Sequence, residues 1–496
     1  MKPITESHVI DSIAEALQFI ACYHPPDFVA AMAAAHAREE SPAARDAIAQ
    51  ILVNSRMCAL GQRPICQDTG VANVFVDIGV QARLDWQRPL QEIVDDAVRR
   101  AYLLDTNPLR ASVVRDPFDT RKNTGDNTPA MILTRMVAGD RVDITVSAKG
   151  GGSENKTRFA VLNPSASVAD WVVEQVRGMG AGWCPPGMLG IGIGGSVDRA
   201  MAMAKEALND PIDIDDLRAR GPRDAADALR LEICDRVNAL GIGAQGLGGL
   251  TSVLDVKIRH FPTHAASLPV ALIPNCAATR HVHFTLDGSG PAAFAPPDLS
   301  LWPDITLKTA AAQARRIDLD ALDQDLLDSL QPGDRLLLSG TLYTGRDAAH
   351  KRMVEVLDRG EALPVDLRGR AIYYVGPVDP VRNEVIGPAG PTTSTRMDRF
   401  TDRVLRDTGL KVMIGKAERG PEALRAIAEH GAVYMIAVGG AAYLVAQAIR
   451  EAEPVAWTDL GMEAIYRLRV EDMPVMLAVD TQGRSIHEIG PKAWRR

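Results

Sequence analysis

Six cysteines occur in the 496 residues, and none follows residue 276. Cys22 (QFIACYH), Cys58 (NSRMCAL) and Cys234 (LRLEICDRV) fall in apolar, helix-like contexts that predict packed core thiols. Cys66 (PICQDTG), Cys184 (GWCPPG) and Cys276 (IPNCAATRHVHF) lie instead among Gly, Pro, Asn and Asp, where a turn can aim a side chain into a cleft. They are too dispersed for a CxxC knuckle, which argues against a structural zinc ribbon. Three thiols gathered by folding could hold a cubane and leave one iron without a protein ligand, a Lewis acid instead of an electron carrier. The competing reading is three unrelated loop cysteines.

The second chemical signal is a set of cations in loops. SAKGGGSENKTR (147–158) combines three glycines with Lys149, Lys156 and Arg158, so exposed amides and positive charge together favour a carboxylate or phosphate. A solvated flexible loop is the alternative, and the GK-Ser/Thr signature of a phosphate-cradling loop is absent. Later in the chain, TLYTGRDAAHKR places Arg346 at an early helix position. GPTTSTRMD places Thr392, Thr393 and Arg396 ahead of another helix, and MIGKAERG places Lys416 just after a strand. Each alone reads as a solvated surface residue; together they ask for an acidic small molecule bound through charge-assisted hydrogen bonds.

Asp68, two positions after Cys66, is a candidate proton acceptor once desolvation raises its pKa, or a turn cap in Asp-Thr-Gly. His264, His281 and His283 are either functional or satisfied core residues. The HVH alternation puts the last two on one strand face, without a nearby acidic partner that would suggest a metal pair. GIGIGGS (190–196) has GxGxxG spacing at Gly190, Gly192 and Gly195. WCPPGML makes a poor opening strand, so the expectation is a glycine turn supporting the Cys184 loop and not a nucleotide site.

These residues need elements to carry them. Periodicity predicts three helices over 9–58, a strand at 72–80, a helix from Gln91, and a hairpin over 131–148 turning at Gly139–Asp140. Further strands are expected at VLDVKIRHF, LPVALIPN and HVHFTL. The Pro-, Gly- and Ala-rich stretch 287–304 reads as a boundary, giving units 1–288 and 305–496 joined by a linker at 289–304. Beyond it, strand–loop–helix alternation suggests an α/β layer, the last helix being AAYLVAQAIREA. The net charge of −8 excludes a bulk basic surface for nucleic acid or anionic membranes. No run of about 18 apolar residues predicts a membrane span, and the acidic N-terminal segment does not read as a signal peptide. A cytoplasmic enzyme with reduced thiols is the expectation.

Taken together, PICQDTG, LRASVVRDP, RKNTGDNTP, SAKGGGSENK, WCPPG, IPNCAATRHVHF, SGTLYTGRDAAHKR, YYVGPV, GPTTSTRMD, MIGKAERG and AWTDLGMEAIYRLRVEDMPV resemble class I, iron–sulfur-dependent fumarate hydratases. The resemblance runs from about residue 10 to residue 492 and joins parts that two-subunit relatives carry as α and β chains. It implies a 4Fe–4S cluster on Cys66, Cys184 and Cys276, acting as Lewis acid in the reversible hydration of fumarate to (S)-malate. It further implies substrate contacts from Gln67, Arg110, Gly152, Asn155, Lys156, Thr157, Arg158, His264, Arg346, Thr392, Thr393, Arg396 and Lys416, with Asp68 and Thr392 as acid–base candidates. The implied fold is an α+β cluster domain followed by a C-terminal swivelling β/α domain, assembled as a homodimer. The wider family also contains tartrate dehydratases and mesaconate hydratases, which stand as alternative functions; a non-catalytic iron–sulfur sensor or electron carrier, the alternative of a different class, would need no dicarboxylate clamp.

Overall fold

In a computed structural model of the chain, which describes residues 2–307 and 314–496, three helices open the fold as the periodicity predicts. They are α1 (Glu6–Cys22), α2 (Pro26–Arg38) and α3 (Pro42–Gly61). Thr5 caps α1 by accepting from the His8 N–H while the His8 ring accepts from the Thr5 N–H, and Ser41 caps α3 ahead of a proline at its first turn. The apolar faces of α1 and of α4 (Leu90–Tyr102) cover a four-stranded sheet.

The strands in chain order are β1 (Ile4–Thr5), β2 (Val71–Gly79), β3 (Leu84–Asp85), β4 (Met131–Val137), β5 (Val142–Lys149), β6 (Arg158–Leu162), β7 (Gly187–Gly194), β8 (Val253–Phe261), β9 (Leu268–Pro274) and β10 (His281–Leu286). The covered sheet has the order β10-β5-β2-β4. The expected 131–148 hairpin is therefore corrected. β4 and β5 do not pair; β2 lies between them, parallel to β4 and antiparallel to β5. Burial explains the choice. The Ala72–Val76 run of β2 is buried throughout and needs neighbours on both sides, whereas β4 is mostly exposed and suits an edge.

A second sheet has the order β6-β9-β7-β8. Here the GIGIGGS expectation is also corrected: residues 190–194 belong to strand β7, and Gly195 and Ser196 lead into helix Val197–Ala207. Its glycines permit close packing, since a Cβ at Gly192 would lie 1.9 Å from the Ala200 carbonyl oxygen of that helix.

The last unit contributes β11 (Arg315–Asp318), β12 (Arg335–Thr344), β13 (Ala371–Tyr373), β14 (Val412–Gly415), β15 (Val433–Ile436), β16 (Ile449–Ala456) and β17 (Ile465–Val479). Strands β11 to β15 are parallel neighbours, and the long β17 pairs antiparallel with β15, β16 and also β12, so the sheet curls back on itself. The expected helix AAYLVAQAIREA shortens to Ala442–Ala446, and its second half becomes β16. Ile449 and Ala456 are buried while Glu451 and Glu453 face solvent against Arg469 and Arg467, a pattern that sheet pairing captures.

The Pro-rich segment after β10 lies against the first unit and is not a free tether. Phe294 packs on Phe19 and Phe284, and buried Trp302 donates to Ser55 Oγ at 2.8 Å. One buried apolar cluster runs continuously from Ile13 and Val74 to Ile436 and Val479. Arg63, 1% exposed, bridges the halves through Glu384 (2.8 Å) and the Asp379 carbonyl (2.9 Å). Among the described residues no helix is long and apolar enough to cross a membrane.

Buried His24 ties α3 to the Cys276 loop, its ring nitrogens meeting Ser55 Oγ at 2.7 Å and the Ala277 carbonyl at 3.0 Å. Burial pushes its pKa down to about 3. The unfolded chain takes up a proton near pH 6.5 that the folded state refuses, so this contribution to stability is complete above about pH 6.5 and lost as pH falls toward 3. The guanidinium midpoint should drop between pH 7 and pH 5, and drop less in His24→Gln. Equal drops in the two proteins would remove His24 as a source.

Candidate active site

Loops of both units converge on one seam. Cys66 follows α3 in a loop fixed by Asn54, whose side chain donates to the carbonyls of Ile65 (3.1 Å) and Gly440 (3.0 Å) and accepts from the Tyr443 and Leu444 N–H groups. The Cys66 thiol donates to Gln67 Oε1 at 3.2 Å, and Gln67 Nε2 reaches the Pro391 carbonyl across the seam. Cys184 sits at a left-handed position (φ 58°) just before β7, and its carbonyl accepts from the Ala277 N–H next to Cys276.

Lys416, directly after β14, completes the group beside the Cys184 thiol and within electrostatic reach of Cys66 and Cys276. Burial alone would lower the Lys416 pKa, but the three thiols raise it above its ordinary value. Burial in turn pushes the Cys66 and Cys184 thiols up, against the pull of Lys416. A Cβ at Gly439 would lie 2.7 Å from Cys184 Sγ and 2.9 Å from Gln245 Oε1, so only glycine fits this cradle. Three soft sulfur donors from three loops, with a cation beside them, suit a thiolate-bound iron–sulfur centre. Cys22, Cys58 and Cys234 are buried free thiols, as expected; Cys58 points to the Pro64 carbonyl.

Around the thiols stand the carboxylate and the cations. Asp68 accepts from the Gly151 N–H (2.9 Å) and Gly70 N–H (3.2 Å), with Arg110 at 3.8 Å. The expectation that desolvation raises its pKa is corrected. Burial does push upward, but Arg110, Arg280, the Gly151 N–H and Lys416 outweigh it, and the net shift is down. Arg110 donates to the Gly376 carbonyl at 2.6 Å; burial and neighbouring Arg346 push its guanidinium down to about 10. Arg396, 44% exposed, pairs with Asp347 at 3.3 Å, and partial desolvation lowers its guanidinium pKa. Thr392 is held between strand ends, donating its N–H to the Tyr374 carbonyl and accepting from the Lys416 N–H. A Cβ at Gly152 would sit 3.7 Å from Thr393 Oγ1 and 3.8 Å from Lys416 Nζ, which puts the triple-glycine loop against the second unit.

Not every expected residue reaches this seam through its side chain. Lys156 does, 3.7 Å from Glu418. Thr157 and Arg158 bond carbonyls of their own loop, and Asn155 is an exposed cap at its end. Lys149 is a buried brace, donating to Ser153 Oγ and the Pro274 carbonyl at 2.7 Å each. His264 is exposed beyond β8, at the end of the β7–β8 pair remote from Cys184, and its ring accepts from the Ala266 N–H. His283 bonds Thr145 Oγ1 on the sheet edge. Sequence reasoning missed Arg280, which donates to the Asp68 carbonyl at 2.7 Å, and Gln245, which joins Pro185 to Gly439. Arg280 stood in the Cys276 motif as its only signal; Gln245 had none.

A fumarate hydratase family model matches residues 10–285, and a fumarase C-terminus model matches residues 288–490. The chain belongs to the fumarate hydratase family. It is 32% identical over 465 residues to the anaerobic class I fumarate hydratase of Escherichia coli K12, covering 88% of this chain and 82% of that one. A putative class I fumarate hydratase of Geobacillus stearothermophilus is 31% identical over 94% of this chain and 93% of its own. A putative L(+)-tartrate dehydratase subunit alpha of Methanocaldococcus jannaschii is 35% identical, over 55% of this chain and 95% of its own. The two family models meet just after β10, where the Pro-rich segment begins.

Glu418 links the family's two halves, accepting from the Ala181 N–H at 2.8 Å in the turn before Cys184. Glu418→Ala leaves that buried N–H unpaired and should cost about 1–3 kcal/mol in denaturant unfolding. Glu418→Gln, which can still accept, should cost less; an unchanged midpoint in Glu418→Ala would show that the contact holds nothing.

Proposed function

We propose that the chain is a hydro-lyase that interconverts fumarate and (S)-malate. The observation that carries this reading is the convergence of Cys66, Cys184 and Cys276 beside Lys416, with Asp68 and three arginines around them. The thiols would hold a 4Fe–4S cluster, whose iron without a protein ligand supplies Lewis-acid polarisation of a C–O bond.

The chain's own residues do the rest. Arg110, Arg346, Arg396 and Lys416 would bind the two substrate carboxylates from both units, with Lys156, Gln67, Thr393 and the amides around Gly152 completing the cradle. Asp68, kept ionised by its cationic neighbours, would take the proton from C3. That lowered pKa makes it a weaker base, so catalysis leans on fixed geometry and on carboxylates polarised by the arginines. Thr392, held by its backbone between β13 and β14, is the second acid–base group. Asn155, Thr157 and Arg158 frame the loop in this reading. His264 has no role assigned within one chain.

The same reading takes residues 1–288 as the cluster-bearing unit, 289–304 as the connector and 305–496 as a clamping unit that swivels, in a cytoplasmic homodimer. The meeting point of the family models supports the division, and a labile iron–sulfur centre suits a reducing compartment. A second reading, tartrate dehydration, has the M. jannaschii relative in its favour.

Chain reconstituted anaerobically with iron and sulfide should form fumarate from malate, followed by absorbance, with higher kcat/KM for malate than for tartrate or mesaconate. Faster turnover of tartrate would replace the first reading by the second. Asp68→Asn should keep cluster absorbance and lower kcat about 100-fold or more. Cys276→Ser should lose both absorbance and activity; an intact, fully active cluster there would overturn the ligand set.

A further inference from the structure

Arg346 occupies the N-cap of helix Asp347–Asp358, a position where a short oxygen-bearing side chain normally satisfies an orphan N–H. Arginine cannot accept, and its side chain makes no cap bond. The missing acceptor comes from far along the chain: Glu463 Oε2 accepts from the Ala348 N–H at 3.0 Å. Its other oxygen, Oε1, lies 3.4 Å from Arg346 Nη2. One carboxylate thus caps the helix and holds the guanidinium that the cap residue sends into the seam.

The surroundings make this hold necessary. Arg346 crowds both Arg110 and Arg396 electrostatically, and Glu463 offsets the positive charge felt by both. Arg346 Nη1 packs against Gly376, 2.2 Å from where a Cβ there would lie. Arg346 Nε is buried without a hydrogen-bond partner among the described residues, leaving donor capacity for a ligand. Glu463 is anchored in its turn, because its segment (Thr458–Glu463) ties to the same helix through Asp459 and Arg352 at 2.7 Å.

We propose that Glu463 is a positioning residue for dicarboxylate recognition: it orients Arg346 toward the substrate carboxylate and screens it from Arg110 and Arg396. The inference rests on the reading of Arg346 as a carboxylate clamp. Glu463→Gln separates positioning from capping, since its amide oxygen can still accept from Ala348 while the charge facing Arg346 is gone.

The test is the reconstituted enzyme with Glu463→Gln and Arg346→Lys, singly and together. Glu463→Gln should raise KM for malate about tenfold while kcat stays within about threefold, with cluster absorbance and thermal midpoint near wild type. Added to Arg346→Lys, it should cost less than about twofold more, because its effect passes through the arginine. An unchanged KM in Glu463→Gln, or a full additional loss in the double variant, would overturn the positioning role alone. A wild-type KM in Arg346→Lys would overturn the clamp reading, and this inference with it.

Discussion

Positive charge gathered at the seam between the two units is the constraint on which the proposed site depends. Arg110, Arg280, Arg346, Arg396 and Lys416 all act on the thiols, on Asp68 or on one another. Such a concentration would be costly without compensation, and Arg280 donates to the Asp68 carbonyl while the other four have counter-groups. Lys416 has the Cys184 thiol, Arg396 has Asp347, Arg346 has Glu463, and Arg110 has Asp68 and the Gly376 carbonyl. The overall charge of −8 says nothing of this, because a dianion responds to the local field in the cleft.

The same constraint explains why the halves are joined so extensively. The three proposed ligand thiols come from the first unit, whereas Lys416, Arg346 and Arg396 come from the second, so in the proposed reading neither carries a complete site. Asn54, Gln67, Arg63 and Gln245 each bond across the seam, and a shared apolar cluster lies beneath them. The polar ties fix register, while apolar burial supplies most of the driving force.

What the sequence made legible was local. The turn contexts of Cys66, Cys184 and Cys276, the helix-junction placement of Arg346 and Arg396, and the post-strand position of Lys416 depend on a few neighbouring residues. Strand β2 shows the limit: its apolar run announced a strand, but nothing local said that it would part β4 from β5. Glu463, Glu418 and Gln245 act through partners more than 100 residues away. The direction of the Asp68 shift was hidden for the same reason, since it is a balance between burial and cations from distant loops. AAYLVAQAIREA misled because its apolar residues fit a helix, while cross-strand charges after Ile449 favoured a sheet.

These long-range ties also bear on how the donor set is made. The Cys184 carbonyl receives the Ala277 N–H, Asn54 clamps the Ile65 carbonyl beside Cys66, and His24 holds the Ala277 carbonyl beside Cys276. Gln245 bonds the Pro185 carbonyl through both its backbone and its side chain, and the Gly439 N–H through its Oε1. Every thiol-bearing loop is thus fixed by protein–protein hydrogen bonds one or two residues from the sulfur. In the proposed site such ties preorganise the loops that would carry the three sulfurs, because the fold itself holds each one.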